Sequence, residues 1–478
     1  MLHDKYTKRI SELANSFTSN WSDPGYFYGQ FKAMPLKKIL SGHKHLKAKG
    51  YSFEVVFVIL LSMVLVGENT IHSLLKSQWG KFIDAHKDVF YRLKNNESIN
   101  WRTILMSFAK GFKRVTCQNT GFEKRPTCLI FDDTLIEKTG IKTEGISRVF
   151  DHVGQQYPLG YKMLAMAFWD GVSLIPLDFS FHRERGRNPQ KPFGLKKKDA
   201  RKQQKKARNI ESMGHIRFNE LDISKISSLL RMLKDALRND FIPDYVLVDS
   251  WFTCEELIKA VKAIKKHTVH LLGMYKIAST KFGYNSRQIN IGQIRVLLGK
   301  PKRYRKANYH YLEAQVTLGE IPLKLYFSRQ GKNGKWKTIL STDTSLSFSK
   351  MIELYQTRWT IEVLFKECKQ LLKLGKCQSS NLDAQIAETT ISLIQYIMLS
   401  LKHRFEVYES KGEIFKELHQ QAVISTLNER LWGLLLEIIK VVEEFFEIEE
   451  NMLMKKILND DRAYERMVSI LPPLTNVT

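Results

Sequence analysis

A chain of 478 residues is too long for a single hydrophobic core, so two to four domains are expected. An apolar content of 43% with 11% aromatics excludes a disordered chain. Lys+Arg 75 against Asp+Glu 49 gives +26, which argues against an acidic-surface metabolic enzyme and suits a polyanionic partner.

Five cysteines with no CxxC pair argue against a disulfide framework or a zinc ribbon. The thirteen histidines do not combine with them at ligand spacing. The N-terminus, MLHDKYTKRISELANSF, is polar and amphipathic rather than a signal peptide. Val55–Val66 is the most apolar run but falls short of the roughly 20 residues a bilayer requires, so it reads as a buried helix. A soluble protein of a reducing compartment, without a membrane partner, is expected.

Residues 1 to about 120 read as helical, with pieces at Tyr51–Val66, Ile71–Trp79, Phe82–Leu93 and Trp101–Phe112, the last capped by Asn100. They suit either a helix-turn-helix-like DNA reader or a plain bundle. From Pro126 the texture changes. Thr127–Phe131 is a β run ending in Asp132-Asp133-Thr134, and Tyr161–Trp169 and Val172–Phe181 are strands joined by a turn at Asp170-Gly171. Arg183–Arg208 holds twelve Lys/Arg against two Asp/Glu, a net +10, and reads as a mobile solvated loop or as an arm that tracks phosphates.

The helix Asp222–Leu237, the strand Tyr245–Val248 ending in Asp249, the helix Glu255–Ile264 and the strand His270–Met274 complete an α/β unit. Residues 275–345 are β-rich, with Tyr309–Leu318, Pro322–Ser328, a turn at Gly331–Gly334 and Thr338–Ser341. Helices follow at Met351–Leu372, Asp383–His403 and Leu427–Lys455, the last with an acidic cluster between Glu443 and Glu450.

Two apolar strands of the same α/β unit thus end in aspartates 117 residues apart, Asp132 and Asp249. Carboxyl ends of strands in open α/β sheets are where chemistry gathers, although loop starts favour Asp in any case. The helix at 355–369 adds a third element. At 100° per residue, Tyr355, Arg358, Glu362, Lys366 and Lys369 fall within about 80° of one another. Ile361, Leu364, Phe365, Cys368, Leu371 and Leu372 take the opposite face. The stripe is either a solvated face with i,i+4 pairs or a docking of Glu362 and its cations onto the sheet edge. Three carboxylates gathered there would repel one another unless cations intervened, and hard divalent ions prefer oxygen ligands.

The spacing Tyr355-x2-Arg358-x3-Glu362-x6-Lys369, after two strand-end aspartates, resembles the signature of the insertion sequence 4-type DDE transposases of bacteria over roughly 120–400. The resemblance implies a multidomain α/β protein with a ribonuclease H-like catalytic core and a β-rich insertion, flanked by helical regions. It implies a helical DNA-end-binding domain at 1–120, core at 121–274 and 348–405, insertion at 275–347 and a helical C-terminal region at 406–478 for dimerisation. It places catalysis and two Mg2+ or Mn2+ ions on Asp132, Asp249 and Glu362. Asp133 is the fallback for Asp132, since strand alternation lets only one of the pair face the site.

Tyr355, Arg358, Lys366 and Lys369 would then grip DNA phosphates. Trp336, between Lys335 and Lys337, would stack a flipped base or be a partly buried turn residue, and Trp251 reads as packing. The implied partners are double-stranded DNA, as element ends and target, and a second protomer in the synaptic complex. The setting is the bacterial cytoplasm, on the nucleoid when DNA is bound. The implied activity is cut-and-paste transposition at terminal inverted repeats, the rivals being a nuclease without strand transfer and a non-catalytic DNA-binding descendant.

Overall fold

The computed structural model of the protein describes residues 31–117, 125–406 and 408–421, apart from 48, 78, 81–82, 153, 187, 265, 267 and 277–278, and further on 438–439, 441–443, 446 and 452–470. The chain divides into two compact units, Met1–Lys94 with Leu401–Thr478, and Asn95–Ser400. Most of the acidic Leu427–Lys455 segment lies outside the described residues. No described helix is long and apolar enough to cross a membrane.

In the first unit, α1 (Leu36–Ser41), α2 (Phe53–Ser62), α3 (Ile71–Lys76) and α4 (Lys87–Lys94) are short helices. Ser52 caps α2 by accepting the Val55 N–H at 3.2 Å. Apolar side chains surround α2, and Phe53 and Val56–Leu61 are all buried, as an all-round apolar helix must be. It stops at Ser62 and not at Val66, because the chain turns over Met63–Gly67 and Gly67 takes φ +80°.

The second unit is built on one twelve-stranded sheet. Its strands are β1 (Cys128–Glu137), β2 (Ser147–Arg148), β3 (Leu159–Trp169), β4 (Leu174–His182), β5 (Tyr245–Val248) and β6 (His270–Tyr275), then β7 (Lys281–Tyr284), β8 (Arg287–Asn290), β9 (Lys302–Tyr304), β10 (Tyr309–Leu318), β11 (Ile321–Gln330) and β12 (Lys337–Ser341). The order is β2-β3-β1-β5-β6-β12-β11-β10-β7-β8, with β4 also on β3 and β9 on β10. Among the described strands only β1–β5 and β5–β6 are parallel. The β-rich segment therefore continues the same sheet, since β12 pairs with β6.

Helices α5 (Trp101–Cys117), α6 (Lys197–Ala200), α7 (Met213–Asn219), α8 (Lys225–Arg238), α9 (Glu255–Lys262), α10 (Ile291–Leu297), α11 (Phe348–Gln356), α12 (Trp359–Gln370) and α13 (Leu382–Phe405) complete the order. Asn100 caps α5 as its sequence suggests, accepting the Thr103 N–H at 3.2 Å. From α5, Arg102 reaches β4 and the chain before α8, pairing with Asp178 at 2.9 Å and Glu220 at 2.6 Å.

Two expectations change. Strand β1 does not end before Asp132, because β3 pairs with it antiparallel from Cys128↔Trp169 to Glu137↔Gly160. The parallel partner β5 supports only Cys128–Ile130, and this is the short run visible in the sequence. The basic stretch 183–208 is not one free loop either. Arg183 pairs with Asp222, at 2.9 Å from its Nε. Arg208 bonds both Glu144, at 2.6 Å, and Asp383, at 3.2 Å, with all three side chains 3% exposed. Between these stakes Lys191, Lys196–Lys198, Arg201 and Lys205 are exposed.

Removing one member of a buried ion cluster strands the others. Arg208→Met should cost about 3–5 kcal/mol in urea unfolding, whereas the exposed Lys197→Met should stay within about 0.5 kcal/mol. Equal effects would refute the buried cluster.

Candidate functional site

Register sets the site. Ile130 lies beside Leu247 on the parallel pair β1–β5, so two residues further Asp132 is level with Asp249. Asp249 leaves β5 directly into a turn, where its Oδ1 accepts the N–H groups of Trp251 at 2.8 Å and Phe252 at 3.3 Å. That fixes the carboxylate rotamer.

The third element is not the single helix the sequence suggests. It breaks between α11 and α12, and the break is where Arg358 sits. Around it the backbone closes i→i+3 bonds, Arg358 N–H to Tyr355 C=O at 3.1 Å and Ile361 N–H to Arg358 C=O at 3.2 Å. The Thr360 hydroxyl donates to the Thr357 carbonyl at 2.8 Å, the kind of side-chain bond that competes with the helical ladder. A tightened turn brings residues three apart into line. Arg358 accordingly lies over Tyr355, its guanidinium carbon 5.9 Å from the ring centroid.

From this turn Arg358 donates to Asp132 Oδ2 at 2.8 Å and to Glu362 Oε1 at 2.7 Å, bridging sheet and helix. Tyr355 donates its hydroxyl to the Val248 carbonyl at 3.2 Å, one residue before Asp249. Lys369 donates to Thr134 Oγ1 at 2.7 Å. The apolar face behaves as expected, with Ile361, Leu364, Phe365, Cys368 and Leu372 buried. Thus Asp132, Asp249, Tyr355, Arg358, Glu362 and Lys369 come together. Lys366 is exposed. Trp336 lies on the segment between β11 and β12, under Arg329 and Arg295, whose guanidinium carbons are 4.9 and 5.7 Å from its ring centroid.

Strand alternation sends Asp132 and Asp133 to different partners. Asp132 and Thr134 face the signature helix, whereas Asp133 projects to the other side and pairs with Lys225 of α8. Lys225 also lies 4.4 Å from the Trp251 ring centroid, and Trp251 is 48% exposed rather than packed away. Because the turn capped by Asp249 carries Trp251 outward, Trp251 escapes the core. No local sequence pattern marks Lys225, because its partner Asp133 is 92 residues earlier.

Burial pushes the Asp132 carboxyl up to about 7, with Arg358 pulling it down and Asp249 pushing it further up. Burial likewise raises the Tyr355 phenol to about 12 and lowers the Lys369 amine. Carboxylate oxygens are the right donors for a hard divalent ion. Their placement does not fit one, because among the described residues no three His, Cys, Asp or Glu side chains are grouped closely enough to hold a metal ion. The guanidinium of Arg358 takes the position between Asp132 and Glu362 instead.

Residues 219–398 match the family model of the transposase DDE domain, a segment that includes Asp249 and the signature helix and begins after Asp132. The match supports a DDE transposase. No curated protein matches the chain.

A carboxyl whose folded-state value lies above its ordinary 3.8 favours the fold when protonated, so this contribution is full below about pH 4 and is lost as pH rises to about 7. A shift of this size corresponds to roughly 4 kcal/mol. Denaturation at pH 4.5 and pH 8 should show the unmodified protein losing a few kcal/mol relative to Asp132→Asn. Parallel pH profiles would contradict the placement of Asp132.

Proposed function

We propose that the protein is an insertion sequence 4-type transposase that moves its own element by cut-and-paste, cleaving DNA at terminal inverted repeats and joining the freed ends to target DNA. One observation carries the reading. Asp249 and the set Tyr355, Arg358, Glu362 and Lys369 lie within the segment that matches the transposase DDE domain, and Arg358 joins Asp132 to Glu362.

In this reading Asp132, Asp249 and Glu362 are the catalytic carboxylates. Attack on phosphorus by water, or by a DNA 3′-hydroxyl in the joining step, forms one P–O bond and breaks another, and needs no protein nucleophile. Phosphoryl transfer of this kind depends on positioning and on charge stabilisation. The planar fork of Arg358 that now spans two carboxylates has the geometry to grip a phosphate. Tyr355, Lys369 and the exposed Lys366 would hold neighbouring phosphates. Mg2+ or Mn2+ suits the oxygen donors by type, though not in the arrangement held by Arg358.

The antiparallel strands β4, β3 and β1 with the parallel β5 and β6 would form the ribonuclease H-like core, β7–β12 the insertion and 1–120 the DNA-end-binding domain. Joining two ends calls for two protomers, with the region after 405 as the dimerisation element. The bacterial nucleoid is the natural setting. Three like charges at one site are of no use to a mere binding module, which disfavours a non-catalytic descendant.

The test is incubation of the protein and a divalent salt with linear DNA bearing the element's inverted repeats. Cutting and joining that fall at least 100-fold in Glu362→Gln, a scale usual for loss of a transition-state contact, are expected. Cutting without joining would favour a nuclease, and binding without cutting in the unmodified protein would sink the proposal.

A further inference from the structure

The backbone N–H groups that orient Asp132 and Asp249 belong to three residues, and one side chain meets all three. Asp132 Oδ1 accepts the Asp133 N–H at 2.8 Å, while Arg358 takes Oδ2. Asp249 Oδ1 accepts the N–H groups of Trp251 and Phe252. The side chains of Asp133, Trp251 and Phe252 converge on Lys225. Its ammonium pairs with the Asp133 carboxylate and lies 4.4 Å from the Trp251 ring centroid and 6.0 Å from that of Phe252. Both rings are within the reach of a cation–π attraction.

Lys225 stands where a cation is locally unfavourable. It is the first residue of α8, at the positive end of the helix dipole, and the first turn of α8 holds no acid to offset it. The compensation comes from β1, through Asp133. The start of α8 is itself tied down. Ser224 caps it by accepting the Ser227 N–H at 3.0 Å. His182 of β4 holds the residue between, its Nδ1 2.9 Å from the Ile223 carbonyl and its Nε2 2.7 Å from the Ser180 hydroxyl. The ammonium is therefore a fixed point rather than a mobile surface charge. With the Lys225 and Asp133 side chains 14% and 20% exposed, solvent screens their attraction only weakly.

We propose that Lys225 is a positioning residue that sets the orientation of the Asp132 and Asp249 carboxylates together. It pairs with neither of them among the described residues and acts through their neighbours. One link runs through the Asp133 side chain to the peptide that donates to Asp132. The other runs through the Trp251 and Phe252 rings to the peptides that donate to Asp249. Without the ammonium the two carboxylates turn independently, and their joint aim at one reacting phosphate is lost. The proposal rests on the reading of Asp132 and Asp249 as catalytic carboxylates.

The experiment measures kcat and KM for cleavage of linear duplex DNA bearing the element's inverted repeats, by the full chain with a divalent salt. Lys225→Met should lower kcat by roughly 100-fold, the scale of a small misplacement, and leave KM unchanged. Lys225→Arg keeps the charge, pairs with carboxylates and stacks on indoles, so it should recover most of the rate. Asp133→Asn/Lys225→Met strands no charge, which preserves the fold, and should be no slower than Lys225→Met. Without DNA, the emission of Trp251 is taken as the difference between each protein and its Trp251→Phe form. Acrylamide should quench it more strongly in Lys225→Met than in the unmodified chain. Unchanged quenching overturns the proposal. So does an unchanged kcat in Lys225→Met, and so does a raised KM at full kcat, which would make Lys225 a DNA contact; all three leave the enzyme reading intact. Failure of the unmodified protein to cut overturns the enzyme reading and the proposal with it.

Discussion

The arrangement depends on one guanidinium. Parallel pairing of β1 and β5 sets Asp132 level with Asp249, and docking of α12 adds Glu362. Asp132 is buried there beside Asp249, and Arg358 compensates by donating to Asp132 at 2.8 Å and to Glu362 at 2.7 Å. The same requirement explains the break between α11 and α12. A tightened turn there puts Arg358 in line with Tyr355, and Tyr355 is anchored to the backbone beside Asp249. Position, charge and helix irregularity are one feature.

The +26 of the chain accordingly falls into three classes. Some cations are structural and neutralised: Arg102 ties α5 to β4, and Arg183 and Arg208 tie the two ends of the basic stretch to Asp222 and to Glu144 and Asp383. A few face the carboxylates. Others, such as Lys191 and Lys196–Lys198, are exposed, and a surplus of that kind suits a polyanionic partner.

Much of the site was legible because helical periodicity is local. Ile361, Leu364, Phe365, Cys368 and Leu372 are buried as spacing demands, and Tyr355, Arg358 and Lys369 reach the sheet from the other face. The short apolar runs ending near Asp132 and at Asp249 were equally visible, being the parallel-paired parts of their strands. What stayed hidden depends on partners far along the chain. The extension of β1 comes from β3, the staking of Arg208 from Glu144 and Asp383, and the exposure of Trp251 from a turn capped by Asp249. The break at Arg358 was hidden for another reason. Thr357 and Thr360 are ordinary in a helix by composition, and only their hydroxyl bonds to the backbone reveal the tightened turn.

The Arg358 bridge between β1 and α12 is tested by a double-mutant cycle in urea unfolding at pH 8.5, using Arg358→Met and Asp132→Asn. A favourable coupling of about 1–3 kcal/mol is expected between the two positions. Effects that add to within about 0.5 kcal/mol would mean that the two side chains do not interact, and would contradict the account.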